Sequence, residues 1–232
     1  MLENNAHNPW LKLGLDPPFV LESDWKAVEA FNARVDPELR LHTELLPEPF
    51  VGDVKAAAVL LLNMNPAYSP AEFAFHRDPS FVTIARANLT QRVLPYPFYF
   101  LDPHWKSPGH RYWSWRLAEL IDVCGREAVA KHVAVVEWYP YHSLGMSRTW
   151  MPRVPSQAFS FKLVQDALER GAVIIIIRAV KWWQQELPGL VSGAKRLDRN
   201  YRRAGSLLRR ACPEAFDLAV KAIRRFEQGD SR

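Results

Sequence analysis

The chain has 232 residues, 48% of them hydrophobic, which is ample for a packed core and makes a single domain the expectation. Lys and Arg outnumber Asp and Glu by 30 to 25, and the resulting formal charge of +5 permits a polyanionic partner without requiring one. Its two cysteines, Cys124 and Cys212, exclude a disulfide framework, an iron–sulfur cluster held by four thiolates and a four-cysteine zinc site, and make a reducing cytoplasm the expected location.

At the N-terminus, MLENNAHNPWLKLG has neither a basic leader nor an apolar core. No run in the chain approaches the roughly 18 apolar residues that cross a bilayer, so no membrane association is expected. Residues 1 to 50 are rich in proline and charge, with a helix predicted from Ser23 to Val35, and read as an N-terminal cap on one domain. Three apolar runs follow at wide intervals: AAAVLLL at 56 to 62, VAVVEWY at 133 to 139 and AVIIIIR at 172 to 178. Their unbroken hydrophobicity fits strands buried on both faces. Between them the spacing of Trp113, Leu117, Leu120 and Ile121 predicts a helix over Tyr112 to Val123, and that of Phe159, Leu163, Val164 and Ala167 a second over Phe159 to Leu168. Gly171 stops the latter. Gln91 to Tyr112 is aromatic without periodicity and reads as a long ordered loop, and Pro213 to Phe226 as a closing helix.

Strands alternating with helices predict an α/β fold, a three-layer αβα sandwich around a mostly parallel sheet of about four strands. Ligands in such folds bind beyond the carboxyl ends of the strands, which directs attention to NMNPAYSP, YPYHSLG and RAVKWW at the three strand exits. Two asparagines, Asn63 and Asn65, stand at the first exit. Either can serve a turn, since Asn-Pro often begins one. The second strand also leaves through polar groups around a proline, Glu137 to Ser143, so the two exits are expected to face one crevice.

The run of apolar residues ending in Met64-Asn65-Pro66 resembles the first motif of the uracil-DNA glycosylase superfamily, especially the GMNPG form of its single-strand-selective monofunctional branch. Asn63 and Ala67 stand where that form has glycines. The resemblance covers roughly residues 55 to 215 and implies that Asn65 positions the water that attacks the sugar carbon. It implies a ring stacked on the extruded base, for which Phe98 in YPFYF is the choice. Aligned on Pro140, Glu137 replaces the family's base-reading asparagine. A carboxylate accepts from donors and repels acceptor edges, whereas a protonated Glu can donate. Asn63 either braces the turn or joins Phe98 and Glu137 in holding the base. Where the family has His-Pro-Ser, this chain has Arg178-Ala179-Val180. Arginine can stabilise a departing anion but cannot exchange a proton, a task for which His142 is the substitute.

Between 195 and 210, KRLDRNYRRAGSLLRR carries seven cations against one anion. Arg196, Arg199, Arg203 and Arg210 would share one face of a helix, a stripe for backbone phosphates. Lys195 and Arg202 add charge, and Tyr201 is placed to stack on a base. The expectation is a monomeric DNA N-glycosylase that removes a modified or deaminated base and needs no cofactor or metal. Two alternatives stand beside it: a non-catalytic nucleic-acid-binding protein on the same fold, and a hydrolase of free nucleosides or nucleotides.

Overall fold

Phe50–Val51 (β1), Val59–Asn63 (β2), Val133–Glu137 (β3), Val173–Ile176 (β4) and Ala194–Arg196 (β5) form one sheet in the computed structural model, which describes residues 8–145, 153–196 and 206–229. The strand order is β1-β3-β2-β4-β5. All neighbours run parallel except β1, which pairs antiparallel to β3. Every residue of β2 and β3 is buried, as their unbroken apolar runs require. The expected α/β sandwich is therefore present, with five strands where about four were expected.

The helices are Glu22–Asn32 (α1), Pro70–Phe75 (α2), Pro79–Leu89 (α3), Pro108–Arg116 (α4), Ala118–Cys124 (α5), Arg126–His132 (α6), Gln157–Glu169 (α7), Val180–Glu186 (α8), Leu190–Gly193 (α9) and Pro213–Glu227 (α10). Helices α5, α6 and α10 pack on one another and on the sheet, while α7 packs on β3 and β4. Right-handed crossovers put these two groups on opposite faces. Gly171 ends α7 in a left-handed conformation, φ 79°, as its position predicts. Two expectations need correction. The helix placed over Tyr112 to Val123 is two helices that meet at Leu117, and the aperiodic stretch before it already contains the start of α4 and a 3-10 turn at Tyr99–Leu101.

Strand order fixes where a ligand belongs. From β2 the chain crosses to β3 on one side, and from β3 it crosses back over β2 to β4 on the other, so a crevice opens where the order reverses. Residues of the N-terminal segment, among them Phe19, Leu21, Val28, Phe31 and Leu46, share the core cluster with the strands.

Candidate functional site

A cavity of about 800 Å³ lies at the carboxyl ends of the strands. It is lined by residues of all three exits, Asn63 to Ser69, Glu137 and His142 to Gly145, and Arg178, Lys181 and Trp182, closed on the far side by Glu72, Phe100, Tyr112 and Trp113. Its size is that of sites which hold a whole small ligand. Asn63, Asn65, Glu137, His142 and Arg178 thus share one cavity.

Backbone bonds zip the first two exits together: Trp138 N–H donates to Asn63 O, Tyr139 N–H to Met64 O, Ser143 N–H to Pro66 O, and Tyr68 N–H to Ser143 O. The indole Nε1–H of buried Trp183 donates to Asn63 O at 2.8 Å, anchoring α8 to the strand end. Between β4 and α8, Ala179 takes a left-handed conformation at φ 56°, a strained turn for a residue with a side chain, and it brings Arg178, Lys181 and Trp182 to the same cavity.

Asn65 is half-buried on this rigid frame. Its Nδ2 donates to Pro66 O at 2.8 Å and to Ser143 Oγ at 3.0 Å, while Ser143 Oγ donates to Gly145 O at 2.7 Å. With both amide hydrogens engaged, Oδ1 remains as an acceptor for a water or a substrate donor.

Asn63 and Glu137 end adjacent strands in register, and Asn63 Nδ2 donates to Glu137 Oε1 at 3.0 Å. Both side chains are about 95% buried, yet Glu137 Oε2 and, elsewhere in the lining, Glu72 Oε2 meet no protein partner, and Asn63 Oδ1 meets none within hydrogen-bond geometry, although the Tyr112 hydroxyl approaches the same amide. Unpaired buried oxygens are costly and mark places where a ligand or solvent completes the bonding. Burial above all, with Glu48 adding to it against the opposing pull of the Asn63 amide and Arg178, raises the Glu137 carboxyl to about 8. Glu72 also rises to about 8, through burial and then Glu48, opposed by the Gly109 N–H and Arg111.

A second buried group backs the cavity. Glu48, His76 and His142 bring ligating atoms within 4.8 Å of one another, the one such group of three among the described residues. Their hydrogen bonding does not fit a metal. His76 Nδ1 accepts from Leu46 N–H, so the neutral ring carries its proton on Nε2, the atom that faces Glu48 and would have to bind the ion. His142 has Nδ1 2.6 Å from Ala67 O and Nε2 3.0 Å from Leu46 O, and burial lowers it to about 4. This counts against its expected role as a proton carrier: the ring lines the cavity but is 2% exposed, both nitrogens face backbone carbonyls, and as a neutral imidazole it has one N–H to donate to one of them.

Phe98 requires a similar correction. It is fully buried, edge-on to Trp113 in the core, and offers no face to a base, whereas Phe100, Tyr112 and Trp113 line the cavity. The basic stretch does not form a single helix over 195 to 210. It starts as strand β5 and ends in a non-helical turn before α10, so Arg196 and Arg210 do not share a helix face. Lys195 pairs with Glu214 and Arg209 with Asp217 at 3.2 Å. Arg199, Tyr201, Arg202 and Arg203 lie outside the described residues.

The buried groups predict how stability depends on pH. Glu72 and Glu137, ordinarily near 4.5, titrate near 8 when folded, so their contribution is fully present below about pH 4.5 and disappears as pH rises through 8. His76 and His142, ordinarily near 6.5, are lowered to about 3 and 4 and oppose this trend at acid pH, destabilising the fold as pH falls below 6.5. Above pH 6.5 the raised carboxyls set the slope, with buried Glu48, also raised by burial, acting in the same direction as Glu72 and Glu137. Differential scanning calorimetry should show Tm falling by roughly 5–10 °C between pH 6.5 and 8.5, and the double variant Glu72→Gln/Glu137→Gln should flatten the slope. An equal slope in that variant would assign the effect elsewhere.

Comparison with protein-family models, with curated proteins and with solved structures found no match, so function is read from the cavity itself.

Proposed function

We propose that this protein hydrolyses the N-glycosidic bond of a modified base in DNA. The observation that carries the reading is the convergence, in one cavity at the carboxyl ends of the strands, of Asn65 with a free acceptor, the Asn63–Glu137 pair with unpartnered oxygens, and Arg178. In such a reaction the C1′–N bond breaks with its electron pair going to the base, and water oxygen bonds to C1′ while its proton leaves to solvent. Asn65 Oδ1 accepts a hydrogen bond from that water and so fixes its position. Arg178 supplies positive charge within reach of Glu137, and the electron-rich departing base is stabilised there. Asn63 and Glu137 hold the base. Exposed Lys181 at the cavity gives a phosphate contact, the electrostatic hold on a strand from which one nucleotide is extruded.

The likeness of Met64-Asn65-Pro66 to the first motif of the uracil-DNA glycosylases supports the same reading, as does the position of that motif at the end of β2 beside the end of β3. Base release from labelled oligonucleotides carrying uracil, hypoxanthine, oxidised guanine or alkylated purines is the direct test. Release that disappears with Asn65→Ala is the expected result. DNA binding without release of any base would replace the proposal with a non-catalytic reader, and release from free nucleosides that DNA does not compete with would replace it with a nucleoside hydrolase.

A further inference from the structure

The polar floor of the cavity consists of acceptors. Glu137 Oε2 and Glu72 Oε2 are buried, line the cavity and have no protein partner; Asn63 Oδ1 has none within hydrogen-bond geometry, although the Tyr112 hydroxyl approaches the same amide, and Glu48 is a third carboxyl in the lining. Asn63 is 4% exposed, and its amide hydrogen is directed to Glu137 Oε1, which leaves the amide oxygen and the outer carboxyl oxygen as neighbours at the ends of paired strands. Positive charge increases toward solvent: half-buried Arg178 reaches Glu137, and Lys181 is exposed. A basic mouth above an acceptor-lined floor suits a nucleotide whose phosphate stays outside while a donor-bearing base goes in.

A metal ion would not satisfy these oxygens together. The only set of three ligating residues among those described whose atoms close to 4.8 Å is Glu48, His76 and His142, and neither Glu72 nor Glu137 belongs to it. Buried acceptors contributed by β2, β3 and α2 match an organic ring with donors along its edge. We infer that the base taken by this cavity is a guanine-type purine, whose adjacent ring N–H and exocyclic amino group donate to Asn63 Oδ1 and the Glu137 carboxylate, with Glu72 accepting a further donor or facing positive charge on the five-membered ring. The inference rests on the proposed glycosidase reading and names its substrate class. A pyrimidine such as uracil has a single ring N–H between two carbonyls and would leave an acceptor facing an acceptor.

Proton linkage distinguishes this mode from its alternative. Glu137 is faced by Asn63 on β2, Arg178 after β4, Tyr112 on α4 and Glu48, and Glu72 by Glu48, Arg111 and the Gly109 N–H. Burial holds Glu137 protonated at neutral pH. Accepting two donors requires the carboxylate, so binding expels a proton and affinity should rise about tenfold per pH unit up to about pH 8. A carbonyl-faced base would instead take a hydrogen bond from the neutral acid, with no proton expelled and affinity falling above pH 8.

The experiment is isothermal titration of the full chain with guanosine, inosine and uridine at pH 6 to 9, in buffers of differing ionisation heat, beside base release from oligonucleotides carrying 8-oxoguanine, 7-methylguanine, hypoxanthine or uracil. Expected are guanosine binding at least about tenfold tighter than inosine, which lacks only the 2-amino donor, one proton released, and Asn65-dependent release of a modified guanine. Glu137→Gln should remove the proton release and the preference, and Asn63→Ala, which removes the neighbouring acceptor, should lower guanosine affinity at least about tenfold and so tests the pairing even if Glu137→Gln fails to fold. Release of uracil or hypoxanthine in preference to guanines would overturn the substrate class and leave the glycosidase reading standing. No release and no binding across the panel would overturn both.

Discussion

Replacing Asn65 with alanine should lower single-turnover base release by about 100- to 1000-fold and leave DNA affinity within about threefold. The size follows from what the side chain does. The Asn65 amide is locked through Nδ2 to Pro66 O and Ser143 Oγ, and Ser143 Oγ is itself turned by its bond to Gly145 O. An acceptor held this way does not reorganise when water attacks, and removal of one preorganised polar group commonly costs two to three orders of magnitude in rate. Alanine keeps the loop, because the loop is fixed by backbone bonds from Tyr139 to Met64 and from Ser143 to Pro66. Aspartate is the informative second variant. It keeps an acceptor but faces Pro66 O with an oxygen in place of a donor, so it should retain more activity than alanine while losing thermal stability. Unchanged single-turnover rates in Asn65→Ala would remove this residue from the mechanism.

The strands were legible because burial on both faces leaves no room for polar residues, and runs such as VLLL and VIII then have one reading. Legible too was the meeting of the exits at one crevice, since parallel topology brings successive strand ends to the same edge of the sheet. Helices α2 and α3, and the first turn of α4, were missed although each carries a start signal. Ser69, Asp78 and Ser107 each cap a first turn through the side chain and are each followed by proline at the first helical position. Helix α2 has only six residues, and α4 covers the cavity and its aromatic wall, so its apolar spacing is weak. Phe98 and Phe100 show the limit of local reading. Both are aromatic and both are buried, and only the fold decides that Phe100 meets the cavity and Phe98 meets Trp113. The charge of 195 to 210 likewise said nothing about neighbours. Lys195 and Arg209 find their carboxylates on α10, and spacing within the run could not show that. Glu72 lies nine residues beyond the end of β2, and its place in the cavity lining had no signature at all.

Asp24→Ala should be the most damaging single change to stability, about 3–5 kcal/mol and at least about 10 °C in Tm. Asp24 sits in the first turn of α1 with no exposed surface. Its carboxylate accepts from the Tyr141 hydroxyl at 2.7 Å, the Ser156 N–H at 3.0 Å and the Ser156 hydroxyl. Burial, and Asp24 after it, raise the Tyr141 hydroxyl far above its ordinary range, so it stays a donor. Alanine would strand three buried donors at once, a larger penalty than the loss of one bond, because each keeps its desolvation cost without a partner. Asparagine retains one acceptor oxygen and should cost roughly half as much. The same network ties α1 to the exit of β3, two residues before the Ser143 that orients Asn65, and to the approach to α7. Loosening it should therefore weaken base release below the melting transition as well, by less than Asn65→Ala does and with Glu137-linked proton release intact. A Tm within about 2 °C of the parent in Asp24→Ala would mean that the N-terminal segment is held by its apolar contacts, Phe19, Leu21, Val28 and Phe31 against the core, and not by this carboxylate.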